Sequence, residues 1–315
     1  MWCAGKVLSS SGLSIEAQGL CLPVGTRCEI LVEKKEGGNR SIQPLLAEVI
    51  GFNRQTLKLM AIDRMSGLMP GTLVIEQKKY LGIGVGAGLI GRVINGLGMP
   101  IDSLGPLSVD HYIRASDSFQ ALNPLDRKPV SQAFDVGVRL MNGLLTVGVG
   151  QRLGIFAGSG VGKSVLLGMM AKFSVADVVV VGLIGERGRE VKEFIESILG
   201  EQGMKKAVVV ASPADDPPLM RIQGAHTATV IAEFFREQGK KVLLIMDSLT
   251  RYAQAYREVA LAGGEPPATK GYPPSVFAKL PQLVERSGNA IKGGSITAFY
   301  TVLAEGDDQQ DPVVD

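Results

Sequence analysis

Two hydrophobic rhythms run along the chain. From the N-terminus to about Lys79, apolar residues come in short alternating runs broken by turn residues. This predicts strands at Leu13–Leu22, Arg27–Glu33, Leu45–Phe52, Leu57–Ile62 and Thr72–Glu76. Glu36-Gly37-Gly38-Asn39 and Pro70-Gly71 are the punctuation between them. Helical periodicity is missing, and many short strands at even spacing predict a small closed barrel, since closure removes vulnerable edges. A glycine-dense stretch from Leu81 to Gly98 reads as backbone crossing between domains. Within it, Gly86-Ala87-Gly88-Leu89-Ile90-Gly91 has the spacing of a dinucleotide fingerprint. Asn95-Gly96 and Met99-Pro100 follow directly, so no helix is expected behind it and no cofactor role is assigned.

Beyond about residue 100 the rhythm changes. Near-continuous Val, Leu and Ile runs at Arg152–Phe156, Val178–Ile184, Ala207–Ala211, Val242–Met246 and Ser295–Val302 predict strands buried on both faces. Helical stretches at Val165–Phe173, Arg189–Leu199, Leu219–Gln238 and Leu249–Ala262 lie between them. This alternation predicts an α/β fold with a doubly wound parallel sheet, whose ligands sit beyond the carboxyl ends of the strands. A chain of 315 residues fits two domains, 1–79 and 80–315.

Composition narrows the function classes. The net charge is +2 with both signs interspersed, and aromatics make up 5% of residues, so neither nucleic acid nor an anionic membrane is the expected main partner. No apolar run approaches the roughly 18 residues of a membrane span, and no signal segment is evident. Cys3, Cys21 and Cys28 form no metal-binding spacing, which fits reduced thiols in a cytoplasmic setting. His111, in a loop beside Asp110 and Tyr112, reads as a surface residue. His226, on the helix after Pro218, reads as packed or solvated rather than catalytic.

The chemistry sits at the predicted strand ends. Ala157-Gly158-Ser159-Gly160-Val161-Gly162-Lys163-Ser164 lies between a strand and a helix and forms a phosphate-binding P-loop, with Ala157 where the strict pattern has Gly. Its backbone N–H groups would cradle phosphates, Lys163 would reach the terminal ones, and the Ser164 hydroxyl would ligate Mg²⁺. Asp247 ends an apolar strand and is the expected second Mg²⁺ residue. Glu186 follows another strand and is expected to orient and polarise the attacking water, with Arg187 close enough to touch phosphate or tie Glu186 in place. Arg189, Glu190, Lys192 and Glu193 read as a solvated start to the next helix. Gly263 to Pro274, rich in Pro and Gly, reads as an exposed loop of restricted shape.

These motifs, with Gly182–Val191, Leu244–Arg251, Gly264–Phe277 and Glu305–Pro312, resemble the ATPases of the flagellar type III export apparatus. More distantly they are similar to the catalytic subunits of rotary ATP synthases. The resemblance covers essentially the whole chain. It implies a RecA-like domain behind the barrel, a homohexameric ring, and hydrolysis of ATP with Mg²⁺ at subunit interfaces. It also implies a cytoplasmic location at the inner face of the membrane export gate, with peripheral membrane association only. Export gate membrane proteins, a stator-like negative regulator, a coiled-coil central stalk protein, export substrates and their chaperones are the implied partners. By motif, Lys163 and Ser164 serve phosphate and Mg²⁺, Glu186 is the catalytic carboxylate with Arg187 its neighbour, and Asp247 holds Mg²⁺. The loop at Gly263–Pro274 would face the ring's opening, with Lys270 and Tyr272 as stalk contacts.

Family members continue past Asp315, and both ends of this sequence depart from their pattern. The continuing part would hold the arginine finger, the aromatic wall around adenine and a helical C-terminal domain. Without the finger, worth about 10³–10⁵ in turnover, the chain is expected to cradle phosphates yet hydrolyse slowly. Alternative readings are an injectisome-type secretion ATPase, a proton-translocating ATP synthase subunit, or a non-catalytic ring member, the last opposed by Glu186. A hexameric RNA translocase would need interleaved aromatic and basic residues in the barrel, which residues 1–79 lack.

Overall fold

A computed structural model describes residues 4–36, 39–78, 82–114, 122–158, 160–304 and 311–314. Cys3, the Gly37-Gly38 turn, Leu81, Ser159 and the 305–310 part of the acidic motif lie outside the described residues. The chain forms two compact units. One comprises Met1–Tyr80 with Asp216–Met220 and Ala255–Val276, and the other Leu81–Asp215, Arg221–Gln254 and Phe277–Asp315.

In the first unit, β1 (Ala4–Ser11), β2 (Ser14–Gln18), β3 (Arg27–Glu36), β4 (Asn39–Asn53), β5 (Thr56–Ala61) and β6 (Leu73–Glu76) close a barrel in the order β1-β2-β5-β4-β3-β6. Alternating side chains such as Val7, Ile15, Ala17, Ile30, Val32, Val49, Leu59 and Val74 fill its interior. β1 escaped sequence prediction. Its one clear apolar alternation is short, and Ser9, Ser10 and Ser11 blur the period, yet it closes the barrel by pairing both β2 and β6.

The second unit is built on a sheet ordered β10-β15-β13-β11-β12-β8, with β14 off the path. Its strands are β8 (Val93–Ile94), β10 (Arg152–Ala157), β11 (Val178–Ile184), β12 (Ala207–Ser212), β13 (Lys241–Asp247), β14 (Gly288–Asn289) and β15 (Ser295–Leu303). All pairings along that path are parallel. Every residue of β11 is buried. Val179, Val181 and Leu183 pack with Leu167, Met170 and Phe194 on one face. On the other, Gly224 and Ala228 of a long helix lie against Ile184 and Gly182. Burial on two faces is why these strands read as unbroken apolar runs. Each buried Val, Leu or Ile contributes about 1.5–3 kcal/mol of transfer free energy.

The helices are α1 (Arg139–Leu144), α2 (Lys163–Phe173), α3 (Gly188–Glu193), α4 (Gly200–Met204), α5 (Pro218–Glu237), α6 (Leu249–Gly263) and α7 (Pro274–Val284). The helix expected at Arg189–Leu199 is α3 continued by a π turn at Phe194–Leu199. α7 was not among the expected helices: Pro274, read as the end of the exposed loop, instead opens the helix, where a fixed φ and a missing N–H cost nothing, and Pro281 lies within it. The 81–98 stretch does more than cross between domains. It supplies β7 (Ile83–Val85), a 3₁₀ turn at Ala87–Leu89, and β8, which pairs with β12 at the sheet edge. His111 lies on a short strand, β9 (His111–Ile113), rather than in a loop; it is exposed, with its ring 5.5 Å from that of Phe234. Among the described residues, no helix is long and apolar enough to cross a membrane.

One buried ion pair ties α5 to the segment after α7. Arg286, 1% exposed, donates from Nε and Nη2 to both carboxylate oxygens of Glu233, the first at 2.8 Å. Arg236 Nη1 donates to the Arg286 carbonyl at 2.8 Å. His226 lies beside this group, buried, its Nδ1 3.5 Å from Arg286 Nη1. Burial and the arginine charge push its pKa down to about 3, so it stays neutral, a packed residue as the sequence suggested. Removing one partner strands the other charge in the interior. Arg286→Met is therefore expected to destabilise by about 3–5 kcal/mol, and adding Glu233→Leu should recover most of it, as read by urea unfolding.

Candidate active site

Four parallel strands deliver their carboxyl ends to one edge. Ala157 of β10 pairs with Leu303 of β15, Met246 of β13 with Tyr300 of β15, and Leu183 of β11 with Asp247 of β13. The three strands expected to carry the chemistry are therefore not all neighbours, since β15 lies between β10 and β13. It brings a residue of its own.

The loop after β10 turns through Gly160 at φ +79° and Gly162 at φ +90°, in the left-handed region that glycine enters without strain. A Cβ on either glycine would meet nothing within 4 Å, so these positions are fixed by backbone conformation around open space. Gly162 caps α2, whose first turn directs unpaired N–H groups outward beside the loop. Lys163 and Ser164 are the first two residues of that helix, both half-buried. Ala157 ends β10, Gly158 follows next to the Ala304 carbonyl, and Val161 is exposed. A helix start, an open glycine turn and a lysine make a phosphate cradle.

Lys163 reaches across the edge. Its Nζ lies 2.5 Å from Asp247 Oδ1 and 3.4 Å from Glu186 Oε1. The side chains of Lys163, Asp247 and Glu186 are only 10%, 3% and 16% exposed, so a single ammonium faces two carboxylates in a largely dry setting. Burial, reinforced by the Asp247 charge and only partly offset by Lys163, pushes the Glu186 pKa up to about 7, with a smaller contribution from Glu190. Gly185, at φ +71°, turns the chain out of β11 toward Glu186; a Cβ there would strike the Arg251 stem at 2.6 Å.

Lys163, Glu186 and Asp247 thus come together, with Ser164 beside the lysine. Arg187 does not join them. Its side chain is 70% exposed, with the guanidinium 3.9 Å from Glu190, because it caps α3 from outside and extends into solvent. Tyr272 departs from expectation too. It is 4% exposed, with the Arg257 guanidinium 5.3 Å from its ring centroid, whereas Lys270 is exposed.

Sequence reasoning missed Thr301, which donates to Asp247 Oδ1 at 2.6 Å, and Arg251, whose stem lies against Gly185 and whose guanidinium donates to Gln254 at 3.0 Å. A polar residue near the carboxyl end of an apolar strand was the available signal for Thr301. The donor set fits a magnesium–phosphate ligand. Asp247 and Ser164 offer hard oxygens, and among the described residues no group of three or more His, Cys, Asp or Glu could hold an ion alone. An ion there would complete its shell with water and substrate oxygens, the habit of Mg²⁺.

Comparison with known proteins identifies the family. The family model for the nucleotide-binding domain of the ATP synthase alpha/beta family matches residues 137–315. The chain is 58% identical over 312 residues to the flagellum-specific ATP synthase of Pseudomonas aeruginosa, covering 99% of this chain and 68% of that protein. It is 56% identical over 321 residues to the Salmonella typhimurium protein of the same name, covering 99% and 69%. Among solved structures, the assembled ATPase EscN of the enteropathogenic E. coli type III secretion system superposes with TM-score 0.88 at 45% identity. That match covers 99% of this chain and 72% of EscN. EscN in complex with its central stalk EscO superposes with TM-score 0.82, also at 45% identity, covering 95% and 71%.

A raised carboxylate pKa has a definite sign in stability. Below pH 4.5 Glu186 is protonated in both folded and unfolded chains and costs nothing. As pH rises through the window to about 7 the unfolded chain ionises first, and folding loses stability. Glu186→Gln is therefore expected to match the parent in thermal midpoint at pH 4.5. At pH 8 it should exceed the parent by several degrees, on the order of 1–3 kcal/mol. Calorimetry at the two pH values checks this.

Proposed function

The chain belongs to the ATP synthase alpha/beta family, and from that premise we propose that it is the ATPase of a flagellar type III protein export apparatus, hydrolysing ATP with Mg²⁺. The observation that carries the reading is the meeting of Lys163, Glu186 and Asp247 at one sheet edge beside an open glycine turn. The names of the curated relatives favour the flagellar system over the injectisome, to which the matched solved structures belong.

Each residue takes a role its position allows. The backbone N–H groups of Gly158 to Ser164 hold the phosphate chain, Ser159 included by motif, and Lys163 turns from the carboxylates to the terminal phosphate oxygens. Ser164 and Asp247 would hold the magnesium ion, Asp247 through bound water, and the ion would supply charge neutralisation at the phosphates. Glu186 orients the attacking water and accepts its proton, a task suited to a carboxylate whose pKa lies near neutrality. Arg187, facing outward, is better placed to act across a subunit boundary than on its own Glu186.

Assembly follows by likeness. EscN is described as assembled and as bound to a central stalk, which supports a homohexamer with a coiled-coil stalk partner here. A negative regulator, export gate proteins, chaperones and export substrates complete the proposed set, at the cytoplasmic face of the membrane.

Phosphate release from Mg-ATP tests the proposal. Lys163→Ala is expected to remove hydrolysis. Glu186→Gln should lower kcat by about 10²–10⁴ while leaving nucleotide affinity within about threefold. Hydrolysis by the Glu186→Gln protein within about threefold of the parent would exclude Glu186 as the base.

A further inference from the structure

We propose that Thr301 is a positioning residue that fixes which oxygen of Asp247 faces the magnesium water shell, an inference that rests on the ATPase reading above. Thr301 is fully buried on β15, the strand between the P-loop strand and the one that ends in Asp247. Its Oγ1 lies 2.6 Å from Asp247 Oδ1 and 3.4 Å from the Met246 carbonyl. A hydroxyl has one proton to give, and the shorter contact to a charged acceptor takes it.

The same Oδ1 also receives the Lys163 ammonium. Both donors thus converge on one oxygen of a carboxylate that has two, and Oδ2 is the oxygen left to accept from a metal-bound water. The two donors differ in permanence. Lys163 sits on a flexible stem and has a second task at the phosphates, so nucleotide competes for it. Thr301 stands on a central strand whose end is clamped independently, the Leu303 N–H donating to Thr250 Oγ1 at 2.8 Å in the first turn of α6. When the lysine turns to phosphate, Thr301 remains as the donor that keeps the carboxylate from rotating. Valine would match its shape and suit a strand equally well, so the hydroxyl is what distinguishes the site.

The experiment compares parent, Thr301→Val and Thr301→Ser by calorimetric titration with ADP, with and without Mg²⁺. In the parent, magnesium should tighten ADP binding. In Thr301→Val that gain should fall by about tenfold or more, as for other residues that orient a ligand group, while magnesium-free ADP affinity stays within about twofold. The Mg²⁺ concentration for half-maximal hydrolysis should rise in parallel, and Thr301→Ser should restore both. Thr301→Ala gives the same readout should valine disturb the strand. An unchanged magnesium gain in folded Val or Ala protein, or failure of Ser to rescue, overturns the proposal. A parent protein that binds no ADP with magnesium overturns the ATPase reading instead, so the two failures are separable.

Discussion

One ammonium between two carboxylates organises this site. Lys163 faces Asp247 and Glu186 at an edge where all three are shielded from water. Two buried carboxylates side by side would repel and take up a proton, and the raised pKa of Glu186 records that tension even with the lysine present. The arrangement persists because each charge stands at the end of a rigid element. Asp247 ends a strand that is apolar from Val242 to Met246, Lys163 begins a helix, and Glu186 follows a tight glycine turn out of a strand buried along its whole length. A cationic side chain held against two anions is also one that a polyphosphate can capture, which leaves the carboxylates free for metal and water.

The fold supplies the rigidity. Parallel strands packed on both faces leave their carboxyl ends as the one place where polar groups can gather. The edge is reinforced laterally by Thr301 to Asp247 and by Leu303 to Thr250. Away from the site, the Arg286–Glu233 pair fastens the long helix α5 to the chain after α7. The barrel solves a separate problem, closing six short strands with β1 so that none is left unpaired.

Much of this was legible in the sequence because its signals are local. Buried parallel strands read as continuous apolar runs, and the P-loop carries its function in eight consecutive residues. What escaped depends on distant pairing. Nothing near Thr301 says that its strand lies between β10 and β13, so its hydroxyl looked like one more strand residue. The serines of β1 hid a strand that only its partners define. Pro274 read as the end of a loop although it starts a helix, and Tyr272 looked like an exposed contact, whereas it is buried with Arg257 against its ring. Arg187 was placed by nearness in sequence, whereas the turn at Gly185 and the start of α3 send it outward.

Lys163, Glu186 and Asp247 are proposed to form a single Mg-nucleotide site. An experimental structure of the protein with ADP and Mg²⁺ addresses it most directly. The expected result is diphosphate over Gly160 to Ser164, the Lys163 ammonium moved from Asp247 onto a phosphate oxygen, and Asp247 hydrogen-bonded to water on the metal. Nucleotide bound elsewhere, or Lys163 still seated on Asp247 with phosphate in place, would contradict it.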